Sequence, residues 1–186
     1  MNCVFEGQSN EFRYIKPEYF TDNRGVFFKV FENGIFEENG IKLNISECFI
    51  TKSQKNVLRG MHFQLHHPQT KLVTVVSGRA YDVIIDLRTD SPNYKKWYSQ
   101  ELNEYEKGIM LIPAGFAHGF LALEDNTSML YLCAGKYDKE TDTGIRYDDP
   151  DIAIKWPCSD GHDLIISERD KSLMSFAEYE KKPMEI

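Results

Sequence analysis

The sequence lacks any apolar run near the ~20 residues that a membrane-spanning helix needs, and its first residues show no basic segment leading into an apolar stretch. We therefore expect a cytoplasmic protein with no signal peptide and no membrane partner. Positive charge is also in deficit, because 22 Lys and Arg against 29 Asp and Glu give a formal net charge of −7. Nucleic acids bind basic surfaces through their phosphates, so a nucleic-acid partner is not expected either.

Cysteine is scarce as well, with four residues in 186 and no Cys-x-x-Cys pair. Their wide spacing argues against a disulfide framework, and we expect Cys3, Cys48, Cys133 and Cys158 to be free thiols of a reducing compartment. Repeats, low-complexity tracts and linkers are missing from the sequence. A chain of this length favours one domain, and we predict a single domain over residues 1–186.

Short apolar, β-branched or aromatic segments dominate the chain, and turn residues such as Ser77-Gly78 separate them. Helix signals are weak: residues 31–38 predict one short helix, and a second is expected to begin at Ser167, a helix-capping residue type. Many short strands at close spacing predict an all-β sandwich or barrel, whose mouth can hold one ligand. The predicted strands are 26–31, 46–52, 71–76, 81–87, 95–101, 108–112, 118–122 and 128–133.

The densest polar cluster lies in residues 58–64 (Leu-Arg-Gly-Met-His-Phe-Gln), a segment with strand character. Strict alternation along a strand places Arg59 and His62 on opposite faces. A histidine that points into an apolar barrel needs a polar partner. The presence of Arg59, Lys71 and Asp82 in the same region favours a ligand site over a surface strand with a satisfied histidine.

A second cluster, residues 112–120, contains Pro113-x-Gly115-x-x-His118, which matches the second motif of the cupin superfamily. Many cupins bind a metal there with the help of a first motif that has His-x-His and a later Glu. In this chain Phe63 and Gln64 follow His62, so the second histidine of that motif is missing. We therefore expect no metal.

Five stretches together resemble the nucleotide-sugar epimerases typified by dTDP-4-dehydrorhamnose 3,5-epimerase. They occur in register over about residues 20–170, and their order and spacing are more specific than any one motif. The resemblance implies a cupin-type jelly-roll β-barrel with a few short peripheral helices, a homodimer, and no metal or cofactor. The stretches are 22–25 (Asp-Asn-Arg-Gly), 58–64, 71–73, 112–120, and 149–150 followed by 154–157.

Inversion of a carbon beside a C4 ketone needs a base, an electrophile at the ketone oxygen and an acid on the opposite face. The resemblance implies that His62 is the base, with Asp170 as the carboxylate that orients it. It likewise implies that Lys71 stabilises the enolate and that Tyr131 is the acid. Arginines suit a diphosphate because a guanidinium can bind two phosphate oxygens at once. The further substrate contacts that we expect are Arg24, Arg59, Gln64, Asp82, His118 and Tyr137.

Three positions depart from the family pattern, and all of them concern the substrate. Lys29 stands where the dTDP-specific pattern has a glutamate; because cytosine N3 and guanine O6 are acceptors that suit a lysine donor, we hypothesise a cytosine or guanine nucleotide. Glu47 and Phe49 stand where the family has a glutamine and an asparagine near the substrate. These changes reshape the sugar end of the pocket and leave open a different sugar or inversion at one carbon only.

The leading hypothesis is an isomerase that acts at C3, C5 or both carbons of a nucleoside-diphosphate-4-keto-6-deoxy sugar, for surface polysaccharide or glycoside synthesis. A 3,4-ketoisomerase of the same fold is an alternative, although that class carries a further histidine where Gln64 stands. Two further alternatives are a metal-dependent cupin enzyme and a non-catalytic cupin that only binds sugar.

Overall fold

The computed structural model of the chain describes residues 3–6, 12–157 and 164–184. Cys158, one of the four cysteines predicted to be free, lies outside these residues, whereas Cys3, Cys48 and Cys133 each carry a free thiol. Among the described residues, no helix has the length and apolar character that crossing a membrane requires.

Strands dominate the described residues, and the helices are short. Each strand predicted from the sequence overlaps an observed one, usually within two residues at either end. In chain order the elements are β1 (Cys3–Glu6), β2 (Arg13–Pro17), β3 (Tyr19–Asp22), β4 (Gly25–Phe28), α1 (Asn33–Glu38), β5 (Ile45–Ser53), β6 (Leu58–Gln64), β7 (Thr70–Ser77), β8 (Arg79–Asp86), β9 (Trp97–Asn103), β10 (Ile109–Ile112), β11 (Phe116–Ala122), β12 (Thr127–Ala134), β13 (Asp142–Gly144), α2 (Glu168–Lys171) and α3 (Phe176–Tyr179).

Two sheets pack face to face to form the barrel. One has the strand order β1-β2-β10-β7-β12-β5, and the other has the order β13-β6-β11-β8-β9. Their inner faces share one buried apolar cluster, to which Val73 and Tyr131 contribute from the first sheet and Ile84 and Phe120 from the second. This architecture, with its few peripheral helices, confirms the predicted cupin-type jelly roll.

The outer face of each sheet is covered by a helix. Phe36 of α1 packs on the six-stranded sheet together with Ile15 and Leu72. Phe176 and Tyr179 of α3 cover the five-stranded sheet in the same way. Between these helices in sequence, α2 begins directly after Ser167, whose side chain accepts the N–H of Asp170 at 3.1 Å, as expected for a capping serine.

Strands β3 and β4 form a hairpin that pairs only with itself among the described residues. The strand predicted over residues 26–31 ends at Phe28 in this hairpin. Its side chains are mostly exposed, including Phe20 and Phe27, which are 55% and 57% exposed. The hairpin therefore stands apart from the barrel and contributes little to the core of this chain.

Strict alternation fails in β6, where the strand passes very close to its neighbour β11. Gly60 has a φ of +123°, and a Cβ at this position would lie 2.5 Å from the Cα of Gly119. The pairing of the two strands is irregular between His118 and Phe120. As a result Arg59 and His62 line the same interior cavity, so the prediction that they face opposite sides is wrong.

Candidate active site

A cavity of about 350 Å³ lies between the two sheets, within the size range of small-molecule sites. Strands β5, β7 and β12 supply one wall, β6 and β11 supply the facing wall, and the segments after β12 and within α2 border the mouth. Eight of the residues predicted for the site line this cavity: Glu47, Phe49, Arg59, His62, Lys71, His118, Tyr131 and Tyr137.

His62 forms a pair with a carboxylate that lies 108 residues away in sequence. Its Nε2 atom is 2.8 Å from Oδ1 of Asp170, and Oδ2 of Asp170 accepts the Gly60 N–H at 3.1 Å. Burial alone would raise the pKa of the Asp170 carboxyl, but its hydrogen bonds with His62 and Gly60 hold this pKa below its ordinary value. An ionised carboxylate at Nε2 favours a proton on that nitrogen, which leaves Nδ1 to accept a proton.

A second histidine–carboxylate pair lies beside the first. His118 is directly opposite His62 across the β6–β11 ladder, and its Nε2 atom is 2.7 Å from Oδ2 of Asp82. Asp82 is fully buried behind the imidazole, and burial raises the pKa of its carboxyl while His118 opposes the rise. The prediction that Asp82 contacts the substrate is therefore wrong, because its carboxylate supports His118 instead.

Tyr131 projects from β12, on the wall that faces His62. Its ring stacks on Phe49 with a centroid distance of 4.7 Å and an interplanar angle of 10°, and it meets His118 edge-on at 5.8 Å. Burial, with Asp82 adding to it, raises the pKa of the Tyr131 hydroxyl far above its ordinary value. A phenol that stays neutral in this way can donate a proton but cannot serve as a resting base.

Lys71 lies on the same wall as Tyr131, paired in register with Cys133 of β12. Burial lowers the pKa of the Lys71 ammonium, although neighbours such as Cys133 and Asp142 act against the decrease. Burial also raises the pKa of the Cys133 thiol to about 11, so this thiol is neutral near pH 7. Of these two groups, the Lys71 ammonium and not the neutral Cys133 thiol is suited to stabilise a developing oxyanion.

The mouth of the cavity combines cationic and acidic side chains. Arg59 donates from Nε to Ser53 Oγ at 3.1 Å, and the Arg169 guanidinium donates to Asp142 Oδ2 at 2.7 Å. The Tyr137 hydroxyl donates to the same Asp142 oxygen at 3.3 Å. An anionic ligand entering here would meet two guanidinium groups, one of which is held by a carboxylate.

Sequence reasoning missed several lining residues, although some had a signal. Arg169 directly precedes Asp170, and Gln69 and Cys133 lie two positions from Lys71 and Tyr131, on the same strand faces. Thr51 likewise lies two positions from Phe49 on β5, whereas Asp142 carried no comparable signal. The lining residues that were not predicted are Thr51, Gln69, Gly119, Phe120, Cys133, Asp142 and Arg169.

Three predicted substrate contacts lie elsewhere in this chain. Gln64 points away from the main cavity and donates to the backbone carbonyls of His67 and Lys136, so it braces loops rather than substrate. Arg24 is 85% exposed in the β3–β4 hairpin and pairs with Asp22. Lys29 forms an ion pair with Glu32. The prediction that Arg24 and Lys29 share a pocket with Arg59 and Lys71 is wrong within one chain, because the hairpin lies outside the barrel.

The family model for dTDP-4-dehydrorhamnose 3,5-epimerase matches residues 8–178. The chain belongs to this epimerase family. It is therefore an isomerase, and the resemblance read from the sequence motifs is confirmed.

Individual members of the epimerase family are similar to the chain over nearly its whole length. The dTDP-4-dehydrorhamnose 3,5-epimerase of Methanothermobacter thermautotrophicus is 44% identical over 172 residues, which are 87% of this chain and 93% of the relative. The same enzyme of Escherichia coli is 39% identical over 166 residues, or 88% and 89% of the two chains.

Solved structures of family members superpose on the whole fold. The dTDP-6-deoxy-D-glucose-3,5-epimerase of Legionella pneumophila, in complex with dTDP-4-keto-L-rhamnose, gives a TM-score of 0.91 at 33% identity and covers 100% of both chains. A 3'-monoepimerase of Streptomyces bikiniensis, in complex with dTDP-quinovose, gives a TM-score of 0.85 at 26% identity and covers 92% of this chain and 86% of its own. Similarity thus extends to enzymes named for inversion at two carbons and at one.

Proposed function

We propose that this epimerase inverts C3, C5 or both carbons of a dTDP-linked 4-keto-6-deoxy hexose. The observation that carries the proposal is the placement of two proton-transfer groups on facing walls of one cavity, His62 with Asp170 on one side and Tyr131 on the other. Groups on opposite walls can act on opposite faces of a sugar ring, which inversion requires. The free thiols of Cys48 and Cys133 favour the cytoplasm as its compartment.

The reaction proceeds through an enolate. His62 takes the proton from the carbon beside the ketone, and the electrons of that C–H bond form the enolate, whose charge develops on the ketone oxygen near Lys71. Tyr131 then gives its hydroxyl proton to the same carbon from the opposite face, and the ketone is restored. The imidazolium loses one proton to water and the tyrosinate regains one, so the enzyme returns to its starting state.

The names of the relatives support thymine as the base of the substrate nucleotide. The curated relatives above are named for dTDP substrates, and the Legionella enzyme was solved with dTDP-4-keto-L-rhamnose. The hypothesis of a cytosine or guanine nucleotide rests on Lys29, which pairs with Glu32 in this structure, and none of these relatives is named for a CDP- or GDP-linked substrate. Arg59 and Arg169 are the cations placed to meet the diphosphate.

We also propose a homodimer, in which the β3–β4 hairpin of one copy reaches the cavity of the other. The hairpin exposes Phe20 and Phe27 to solvent, and burial of such aromatic rings favours association. The same placement would bring Arg24 and Lys29 to the substrate from the second copy. Analytical ultracentrifugation should give twice the mass of one chain, and a monomer at micromolar concentration would contradict the proposal.

The decisive experiment for the function counts deuterium in deuterated water. The enzyme is incubated separately with dTDP-, CDP- and GDP-linked 4-keto-6-deoxyglucose, and NMR follows the protons at C3 and C5. We expect deuterium and inverted configuration at one or both carbons of the dTDP sugar. Exchange that favours the CDP or GDP sugar would overturn the assignment of the base, and no exchange with any sugar would overturn the function.

A parallel incubation with a chelator tests the metal-dependent alternative. We expect unchanged exchange after the protein has been treated with EDTA and desalted. Loss of exchange that returns on addition of a divalent metal would replace the proposed mechanism by a metal-dependent one.

A further inference from the structure

Phe49 and Tyr131 are a directly opposed pair on the β5–β12 ladder. Side chains opposite each other on one face of an antiparallel pair lie close enough for their rings to interact. Here the two rings are nearly parallel, 10° apart in plane and 4.7 Å apart at their centroids. Phe49 is 43% exposed, so it forms the rim of the cavity, whereas Tyr131 is 6% exposed behind it.

We propose that Phe49 is a positioning residue that holds the Tyr131 ring at the angle needed for proton delivery. The inference rests on the proposed function, since it concerns the acid of that reaction. Phe49 has no group that can transfer a proton, and its effect on the chemistry passes through Tyr131.

The hydroxyl of Tyr131 has the Thr51 side chain as a hydrogen-bonding neighbour, which acts against the rise of the Tyr131 pKa on burial. It also lies 3.9 Å from the Sδ atom of Met129, and a thioether is a weak acceptor. The direction in which the hydroxyl points further depends on the orientation of the ring, which the stack on Phe49 and the edge-on contact with His118 help to fix. The Asp82 carboxylate holds His118 from behind, whereas Phe49 alone covers the open side of the stack at the rim.

The residue type at this position departs from the family pattern described above. Where the family pattern has an asparagine, this sequence has Phe49, and an amide cannot offer a ring face to a tyrosine. Aromatic pairs prefer such offset-stacked or edge-on geometries, and they restrict ring rotation when they form. The stack therefore follows from the phenylalanine at position 49 of this chain.

Proton abstraction and proton delivery depend on different groups, so a defect in one of them can be measured separately from the other. The Phe49 ring stacks on Tyr131, whereas His62 pairs with Asp170 on the facing wall. Loss of the Phe49 ring should leave proton abstraction intact, and exchange with retention would continue through His62. Inversion would decrease, because Tyr131 would no longer present its proton at the right angle.

The test uses Phe49→Ala and Phe49→Leu, of which the second keeps apolar bulk at the rim without a flat ring. Both are assayed in deuterated water with the dTDP-linked sugar, and NMR gives the rate of exchange and the rate of inversion. We expect inversion to fall by about tenfold to a hundredfold and exchange by less than about threefold. Phe49→Tyr, which keeps the ring, should restore the wild-type ratio, and Ile50→Ala, on the other face of β5, should not change it.

The outcomes separate this inference from the function on which it rests. A raised ratio of exchange to inversion in both variants, restored in Phe49→Tyr, supports the positioning role. An equal decrease of both rates, or an unchanged ratio, overturns it, because a general packing defect would affect both transfers alike. Absence of exchange in the wild-type enzyme would overturn the proposed function, and the positioning role with it.

Discussion

Replacement of His62 by glutamine should abolish both exchange and inversion, with a loss of about 10³-fold or more in each rate. Glutamine at position 62 cannot accept the proton as the imidazole does, and Asp170 cannot replace it because this carboxylate lies behind position 62 and is held by the Gly60 N–H. Glutamine keeps a side-chain amide that can donate to Asp170, so the carboxylate is not left unpaired. The measurement is the rate of deuterium uptake at C3 and C5.

The fold should survive this substitution, because His62 contributes to none of the three apolar clusters. A thermal melt within a few degrees of the wild type serves as the control for folding. The matched variant is His66→Gln, which changes a histidine that does not line the cavity, and its exchange rate should equal that of the wild type. Deuterium uptake by His62→Gln at even a tenth of the wild-type rate would mean that another group is the base.

Most strands were predictable because their short apolar, β-branched or aromatic segments favour a strand locally. In β12 the run from Met129 to Cys133 is apolar throughout, which predicts a strand, whereas the alternation of buried and less buried residues appears only in the structure. Strands β1, β2, β3 and β13 were missed, and distance between pairing strands accounts for only some of these, since β3 pairs with the adjacent β4. By contrast, β13 pairs with β6, about 80 residues earlier, and its three residues show no strand pattern of their own.

Site residues were predictable from the sequence only where the residue lies on a predicted strand that itself lines the cavity. Lys71 and Tyr131 lie in the cavity as expected. Asp170 could not be assigned from spacing, because it reaches His62 across 108 residues, and only the resemblance to the epimerases indicated it. Arg24 and Lys29 were assigned by the same resemblance, yet one chain does not bring them to the cavity. The resemblance gave the positions of these two residues in the sequence but not their distance from the cavity in the folded chain.

The acidic character of the chain extends into the cavity. Besides Arg59, Lys71 and Arg169, the walls carry Glu47 and Asp142. Glu47 accepts a hydrogen bond from Gln69 at 3.0 Å, and Asp142 holds Arg169. A diphosphate must therefore share or displace the Asp142 pairing to be bound by Arg169.

Replacement of Tyr131 by phenylalanine should separate the two proton transfers more completely than any change at Phe49. We expect inversion to fall by about 10²-fold to 10³-fold, while exchange with retention continues within about tenfold of the wild-type rate. The phenyl ring can keep its stack on Phe49 and its edge contact with His118, so only the proton donor is lost. NMR in deuterated water gives both rates from one sample.

Tyr179→Phe is the matched control, because it removes a buried hydroxyl far from the cavity. That hydroxyl donates to the Leu87 carbonyl at 2.9 Å, so its loss should lower the free energy of unfolding by about 1 kcal/mol and leave both rates unchanged. Tyr131→Phe should show the reverse pattern, with a loss of inversion far larger than any change in stability that follows from removing the contacts of its hydroxyl with Thr51 and Met129. If Tyr131→Phe lost exchange and inversion to the same extent, Tyr131 would have no separate role as the acid. If it kept both, the proton that completes inversion would have to come from another group on the same wall, such as the Lys71 ammonium.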